Sequence, residues 1–70
     1  MPTGMVRWFE NKRGVGFIRQ DNGNDIFVNM EAVEQSGMTT LKRNQRLSFD
    51  VHRDTENNKA AKAVNLKEIT

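Results

Sequence analysis

Seventy residues without a single cysteine limit this protein to one small domain, residues 1–70, that has neither disulfide bonds nor thiolate metal sites. The net charge of +2 at pH 7 and the pI of about 9.4 are only mildly basic, but residues 36–70 carry seven Lys/Arg against four Asp/Glu, an imbalance that favours a polyanionic partner without requiring one. No apolar run reaches the length of a membrane span and no signal-peptide core follows Met1, so we expect a cytoplasmic protein.

The first predicted strand covers residues 4–11, with Val6 as a candidate for the core. Trp8 and Phe9 are adjacent in it, so regular alternation places them on opposite faces. The sequence leaves open whether Phe9 lies in the core or at the surface. The polar residues 10–14 end in glycine and predict a turn into the second strand.

Residues 13–18 (Arg-Gly-Val-Gly-Phe-Ile) and 25–29 (Asp-Ile-Phe-Val-Asn) predict an antiparallel hairpin, because the Asp-Asn-Gly-Asn segment between them is typical of turns. Both faces of this hairpin carry large apolar groups, and a chain this short cannot cover both. We expect Phe17 and Phe27 to remain exposed, where they suit stacking on unpaired bases. The opposite face is expected to close the core through Ile18, Ile26 and Val28.

Residues 30–35 contain good helix formers but are too few for a stable isolated helix. We therefore predict a single helical turn that caps one end of the domain, with Ala32 or Val33 facing inward. Residues 36–44 are predicted to form a connecting loop, which Leu41 anchors to the core.

The second half of the chain predicts two further strands. Residues 45–53 alternate between apolar and polar side chains, as in a half-buried antiparallel strand. Residues 59–69 are expected to form the last strand, after a polar turn. The side chains expected to face inward are Leu47, Phe49, Val51, Val64 and Leu66. Five short strands favour a closed barrel, because closure removes the exposed edges of a sheet.

The stretch of residues 4–29 resembles the bacterial cold-shock proteins, and three motifs carry the resemblance. Residues 13–18 correspond to the family's first ribonucleoprotein motif, Lys-Gly-Phe-Gly-Phe-Ile, and residues 26–30 (Ile-Phe-Val-Asn-Met) to its second, Val-Phe-Val-His-Phe. Residues 6–9 (Val-Arg-Trp-Phe) are similar to its Val-Lys-Trp-Phe. The resemblance, which continues at lower identity over nearly the whole chain, implies an all-β, five-stranded antiparallel OB-fold barrel that binds single-stranded RNA and DNA.

The chain departs from the family pattern at the binding face that this resemblance implies. Val15 and Met30 replace family aromatics, and Asn29 replaces a histidine. Met38 also stands where the family usually carries an aromatic, although ordinary loop packing is the favoured interpretation there. If Val15, Met30 and Met38 each cost one stacking group at about 1 kcal/mol, the affinity is predicted to be lower by about two orders of magnitude. The polarizable methionines can recover part of this loss.

The residues expected to contact nucleic acid are of three kinds. Trp8, Phe17 and Phe27 offer stacking surfaces, with Trp8 placed outward by the resemblance. Basic side chains are expected to meet phosphates, and Asp25 and Asn29 to hydrogen-bond the edges of bases. The full set is Arg7, Trp8, Lys12, Arg13, Val15, Phe17, Asp25, Phe27, Asn29, Met30, Lys59 and Lys62.

These features predict weak, largely sequence-tolerant binding of single-stranded RNA or DNA, by which the family acts as an RNA chaperone. We expect a monomer that uses no cofactor, metal or small-molecule substrate and does not bind a membrane. Two alternatives remain open. In the first, the binding face, which has fewer aromatic residues than the family pattern, contacts another protein. In the second, the barrel binds structured ribosomal RNA through charge, as an OB domain of the translation-initiation type does.

Catalysis has little support in the sequence. His52 is the only histidine, and it is predicted on the polar face of a strand without a catalytic partner. Residues 14–16 (Gly-Val-Gly) lack the Gly-Lys-Ser/Thr of a phosphate-binding loop and lead into a strand rather than a helix. We therefore expect a binding protein and not an enzyme.

Overall fold

Five strands form a closed barrel in the computed structural model, which describes residues 2–53 and 61–69. The elements are β1 (Thr3–Glu10), β2 (Val15–Gln20), β3 (Asp25–Asn29), α1 (Met30–Gln35), β4 (Arg46–His52) and β5 (Lys62–Glu68). The strands follow one another around the barrel in the order β1-β2-β3-β5-β4. In this part of the chain, no helix is long and apolar enough to cross a membrane.

The predicted five-stranded barrel is confirmed, with one detail that the antiparallel description omits. Neighbouring strands run antiparallel except β3 and β5, which pair in parallel at Phe27 and Lys62. A closed ring with an odd number of strands cannot alternate direction at every neighbour. One parallel pair is therefore unavoidable, and here it places the start of β5 beside the middle of β3.

The turn between β2 and β3 follows the chemistry that its sequence predicts. Gly23 has φ +94°, a left-handed conformation that glycine adopts without steric cost. The Oδ1 atom of Asn22 accepts a hydrogen bond from the backbone N–H of Asn24 at 3.0 Å, so the asparagine side chain closes the turn. This tight turn fixes the register of the hairpin, in which Phe17 lies opposite Phe27.

A single apolar core fills the barrel and continues under α1. Phe49, with none of its surface exposed, is the largest fully buried side chain. Ala32 and Val33 are both buried beneath the helix, and Leu41 anchors the connecting loop, as predicted. The other core residues are Val6, Ile18, Ile26, Val28, Leu47, Ala63 and Leu66. Phe9 and Met38 are half-buried and pack against this cluster, which answers the open question for Phe9 and confirms loop packing for Met38.

The last strand departs from regular alternation at Asn65, whose φ is +53°. The register between β4 and β5 shifts here, and the Asn65 side-chain amide donates to Oδ2 of Asp50 at 2.9 Å. A bulge inserts one extra residue and so exchanges the faces of the residues on either side of it. Ala63 and Leu66 are therefore the buried pair, and the predicted inward orientation of Val64, which is only half-buried, is wrong.

The predicted burial of Val51 is also wrong, because 39% of this side chain is exposed. Val51 lies opposite Ala63, so both side chains point to the same side of the sheet. Val51 is, however, the second-last residue of β4, beyond the level at which Phe49 fills the core. Alternation thus indicates the correct face but does not show where the core ends.

Candidate nucleic-acid interface

Three aromatic side chains lie side by side on the outer surface of β1, β2 and β3. Trp8 is opposite Phe17, and Phe17 is opposite Phe27. The ring centroids are 5.7 Å apart at a tilt of 60° for the first pair, and 5.9 Å apart at 74° for the second. These tilted and edge-on contacts are favourable for aromatic rings. Trp8 and Phe17 are 43% and 37% exposed, and Phe27 is half-buried; we call the three the aromatic row.

A bulge in β1 turns Trp8 outward. The register between β1 and β2 shifts between Val6 and Trp8. Arg7 and Trp8 are consequently both exposed, whereas strict alternation would direct one of them into the core. Phe9 follows on the inner side and packs against the core. The adjacent pair of aromatics therefore divides between the surface and the interior of the protein.

Gly16 allows β1 to approach β2 closely behind the aromatic row. A Cβ atom at this position would lie 2.4 Å from the carbonyl oxygen of Trp8 and 2.7 Å from Cδ1 of Phe9. No larger residue fits without a backbone shift, which is the usual meaning of a glycine inside a strand. The close approach of the backbones holds Trp8 next to Phe17.

Val15 lies on the same outer face as Phe17, one step further along β2. Its neighbours across the sheet are Glu10 of β1 and Asn29 of β3. The side chain is half-buried and aliphatic, so the sheet offers no stacking ring at this step.

Asn29 and Met30 have structural roles that the sequence reasoning missed. The Oδ1 atom of Asn29 accepts a hydrogen bond from the backbone N–H of Ala32 at 2.9 Å and so caps α1. The amide NH2 group of Asn29 remains available to donate to a base. Met30 is the first residue of α1 and packs half-buried against the core. An asparagine directly before a helical segment is the sequence signal that predicts such a cap.

Asp25 forms an ion pair with Arg19, a residue absent from the predicted site. The Arg19 Nε–H group donates to Oδ1 of Asp25 at 2.9 Å, on the exposed surface beside Phe27. This hydrogen bond, supported by the positive charge, lowers the pKa of Asp25 and raises that of Arg19. A base that contacts Asp25 therefore meets an ionised carboxylate that already holds an arginine. The alternation that places Phe17 outward also places Arg19 outward.

Basic side chains lie at both ends of the aromatic row. Arg7 is exposed next to Trp8, and Lys62 is half-buried at the start of β5, opposite Phe27. Lys12 and Arg13 are exposed on the turn between β1 and β2. Lys59, which was also predicted to contact phosphates, lies outside the described residues.

The end of β4 supplies two further residues next to the aromatic row. A groove of about 270 Å³ is lined by Phe17 and Phe27 together with Val51 and Arg53. Arg53 is exposed and directly follows β4, so a cation and an apolar group border the rings on this side. Sequence reasoning missed both, because only closure of the barrel through β5 brings the end of β4 near β3.

Comparison with known proteins identifies relatives along nearly the whole chain. The family model for the "Cold-shock" DNA-binding domain matches residues 2–68. The chain is 43% identical over 68 residues to cold shock protein CspA of Rhizobium meliloti, with 96% of this chain and 97% of the relative covered. It is 39% identical over 66 residues to a cold shock-like protein of Thermotoga maritima, with 94% and 96% covered.

The similarity extends to a third relative of the same kind. Cold shock protein CspB of Bacillus caldolyticus is 38% identical over 66 residues, which cover 94% of this chain and all 100% of the relative. The matched region includes all five strands of the barrel and the whole aromatic row. The chain therefore belongs to the cold-shock domain family of nucleic-acid-binding proteins.

Proposed function

We propose that this protein binds single-stranded RNA and DNA with little sequence preference, and that it acts as an RNA chaperone in the cytoplasm. The observation that carries the proposal is the aromatic row, in which Trp8, Phe17 and Phe27 lie side by side at the surface. Every base has a π-face, so stacking on such a row tolerates sequence. Arg7 and Lys62, at its two ends, suit the flanking phosphates.

The chaperone action follows from binding alone. A base that stacks on the row is removed from base pairing, so the free energy of binding shifts RNA from paired to unpaired forms. A duplex keeps its bases stacked inside the helix, where the aromatic side chains do not reach them. The proposed activity accordingly needs neither ATP nor a cofactor.

Trp8 fluorescence tests the proposal, because Trp8 is the only tryptophan in the chain. We expect a single-stranded pyrimidine oligonucleotide to quench the emission as a base comes into contact with the indole. A duplex of the same sequence should bind much more weakly. Equal binding of the two forms would contradict stacking and would favour binding of structured RNA through charge. Unchanged emission with both would contradict stacking and would favour a surface that contacts protein.

Val15→Phe is expected to strengthen binding. Val15 lies on the outer face one step beyond Phe17, so a phenylalanine there adds a stacking ring without entering the core. One more stacked base raises the affinity by roughly 1–3 kcal/mol, about fivefold to more than a hundredfold.

Oligonucleotide affinity and the thermal midpoint, measured on the same Val15→Phe variant, check this prediction. Stability should change little, since an outward position on a strand accepts phenylalanine as readily as valine. Overpacking of a buried site typically costs about 1–3 kcal/mol. A lower midpoint with unchanged affinity would refute the proposed position of Val15 in the binding surface.

A further inference from the structure

Four arginines surround a second groove, which lies beside the aromatic row. The groove has a volume of about 360 Å³, and Arg7, Arg19, Arg43 and Arg46 line it. The chain has eleven lysines and arginines in all, so more than a third of its cations meet at one place. Met5, which is 37% exposed, adds an apolar side chain to the lining. We call this feature the arginine groove.

Strand pairing brings two of the arginines to either side of Met5. Met5 of β1 lies opposite Arg19 of β2 on one side and opposite Arg46 of β4 on the other. Arg7 follows two residues later on β1, where the bulge leaves it exposed beside Trp8. The groove is thus part of the sheet itself and does not depend on a loop.

A hydrogen-bonded turn attaches Arg43 to the same surface. Asn44 has φ +71°, and its backbone N–H donates to the carbonyl of Val6 at 2.8 Å. The backbone N–H of Val6 in turn donates to the carbonyl of Gln45 at 2.9 Å. These two bonds hold the turn against β1, which places Arg43 in the lining of the groove.

Ion pairs hold two of the guanidinium groups in place without saturating them. Arg19 donates through Nε to Asp25 at 2.9 Å, and Arg46 donates through both terminal nitrogens to Asp21 at 3.2 and 3.3 Å. Hydrogen bonds from the Thr3 hydroxyl and from Arg46 lower the pKa of Asp21, which keeps its carboxylate ionised at neutral pH. A guanidinium has five N–H donors, so each of these arginines keeps donors for another anion.

The remaining arginines leave the groove with an excess of positive charge. Within residues 2–53 and 61–69, neither Arg7 nor Arg43 forms an ion pair. Asp21 is the one acidic residue among the described groups that line the groove. Guanidinium groups match phosphate oxygens in geometry as well as in charge. The chemistry of this groove therefore selects a phosphate-bearing ligand.

The arginine groove begins where the aromatic row ends. Arg7 is adjacent to Trp8, and Arg19 is two residues from Phe17 on the same face of β2. Residues at this spacing on a strand are about 7 Å apart. A strand whose bases stack on the row can therefore place its next phosphates against these arginines without leaving the surface.

We propose that the arginine groove binds the sugar-phosphate backbone of the same single strand after it leaves the aromatic row. This inference rests on the proposed function. It extends the nucleic-acid-binding surface to a second region, which contacts phosphates rather than bases. Affinity should then rise with oligonucleotide length beyond the length that fills the aromatic row. The added affinity should depend on Arg43, which takes no part in the row.

Arg43→Gln, with Lys42→Gln as its matched control, tests this extension. Both residues are exposed, adjacent and positively charged, but Lys42 lines a different groove with Met38 and Glu68. Binding is measured by anisotropy of labelled pyrimidine oligonucleotides of about four and about ten nucleotides, within the range of site sizes known for OB folds. Quenching of Trp8 fluorescence is recorded in parallel and reports binding at the aromatic row separately.

For the longer oligonucleotide, Arg43→Gln should lower the affinity about twofold to fivefold, the range of an exposed ion pair. It should also reduce the slope of log affinity against log salt by about 0.7, the value for one phosphate on a single strand. Arg43→Gln should not change the affinity for the shorter oligonucleotide. Lys42→Gln should not change the affinity for either oligonucleotide.

Three results would overturn the inference while Trp8 quenching still supports the row. The first is that Arg43→Gln and Lys42→Gln change the affinity equally. The second is that affinity does not rise with oligonucleotide length. The third is that the Arg43-dependent site binds a duplex as well as it binds a single strand. Arg43-dependent binding of single strands without Trp8 quenching would instead refute the aromatic row and keep the groove as an anion site. Absence of any binding would overturn both.

Discussion

Phe49→Ala is expected to lower the free energy of unfolding by about 3–5 kcal/mol, the range for truncation of a buried phenylalanine. Phe49 is the largest fully buried side chain, and its loss leaves a cavity between the strands of the barrel. At about 0.05–0.15 kcal/mol per residue, a chain of 70 residues has only about 4–10 kcal/mol of stability in total. The variant should therefore lose a large part of its stability, as thermal and urea denaturation followed by circular dichroism will show.

Phe17→Ala is the matched control, since it makes the same truncation on the outer surface. Phe17 is 37% exposed, and its contacts with the neighbouring rings are those of a surface aromatic pair. Such pairs contribute about 0.5–1.5 kcal/mol beyond the area they bury, so this variant should remain folded. Equal destabilisation by the two substitutions would contradict the assignment of Phe49 to the core and of Phe17 to the surface.

The same Phe17→Ala substitution is expected to weaken binding of single-stranded oligonucleotides by about 1–3 kcal/mol, roughly fivefold to more than a hundredfold. Phe17 is the central ring of the aromatic row, and it packs against both Trp8 and Phe27. Its removal takes away one stacking surface and the ring against which the other two pack. The effect should therefore lie in the upper part of this range.

Anisotropy of a labelled oligonucleotide is the appropriate measurement for this variant, because the substitution also changes the surroundings of Trp8. Gln35→Ala, an exposed and uncharged position at the end of α1, serves as the control and should bind as the parent protein does. Unchanged affinity in Phe17→Ala would show that the row is not a stacking surface.

Local alternation and turn chemistry were sufficient to predict the hairpin of β2 and β3. The spacing of Ile18, Ile26 and Val28 indicated the core face, and the Asn-Gly turn set the register that pairs Phe17 with Phe27. Each of these relations joins residues close in sequence, where backbone geometry leaves few alternatives.

The bulges were the features that alternation could not predict. A bulge in β1 turns Trp8 outward, and the bulge at Asn65 exchanges the faces of Ala63 and Val64. Both lie where the register against the partner strand shifts, so they depend on that strand rather than on the local pattern. Trp8 was placed outward through the family resemblance alone.

The features of the functional surface also fall into two groups, those that the local sequence predicts and those that depend on contacts between distant segments. The outward position of Arg19 follows from alternation along β2, and the cap formed by Asn29 follows from its place before a helix. The arginine groove, in contrast, requires β1 to pair with β4 and the turn before β4 to bond to Val6. Contacts between such distant segments exist only in the closed barrel, so the local sequence pattern did not reveal them.

Amide chemical-shift mapping tests the central claim, that the aromatic row is the stacking surface, more directly than any substitution. Nitrogen-labelled protein is titrated with a pyrimidine oligonucleotide of about four nucleotides, short enough to report the row alone. We expect the largest shifts at Trp8, Phe17, Phe27 and their neighbours on β1, β2 and β3, with small changes in α1. Largest shifts in α1, or no shifts at saturating oligonucleotide, would contradict the claim.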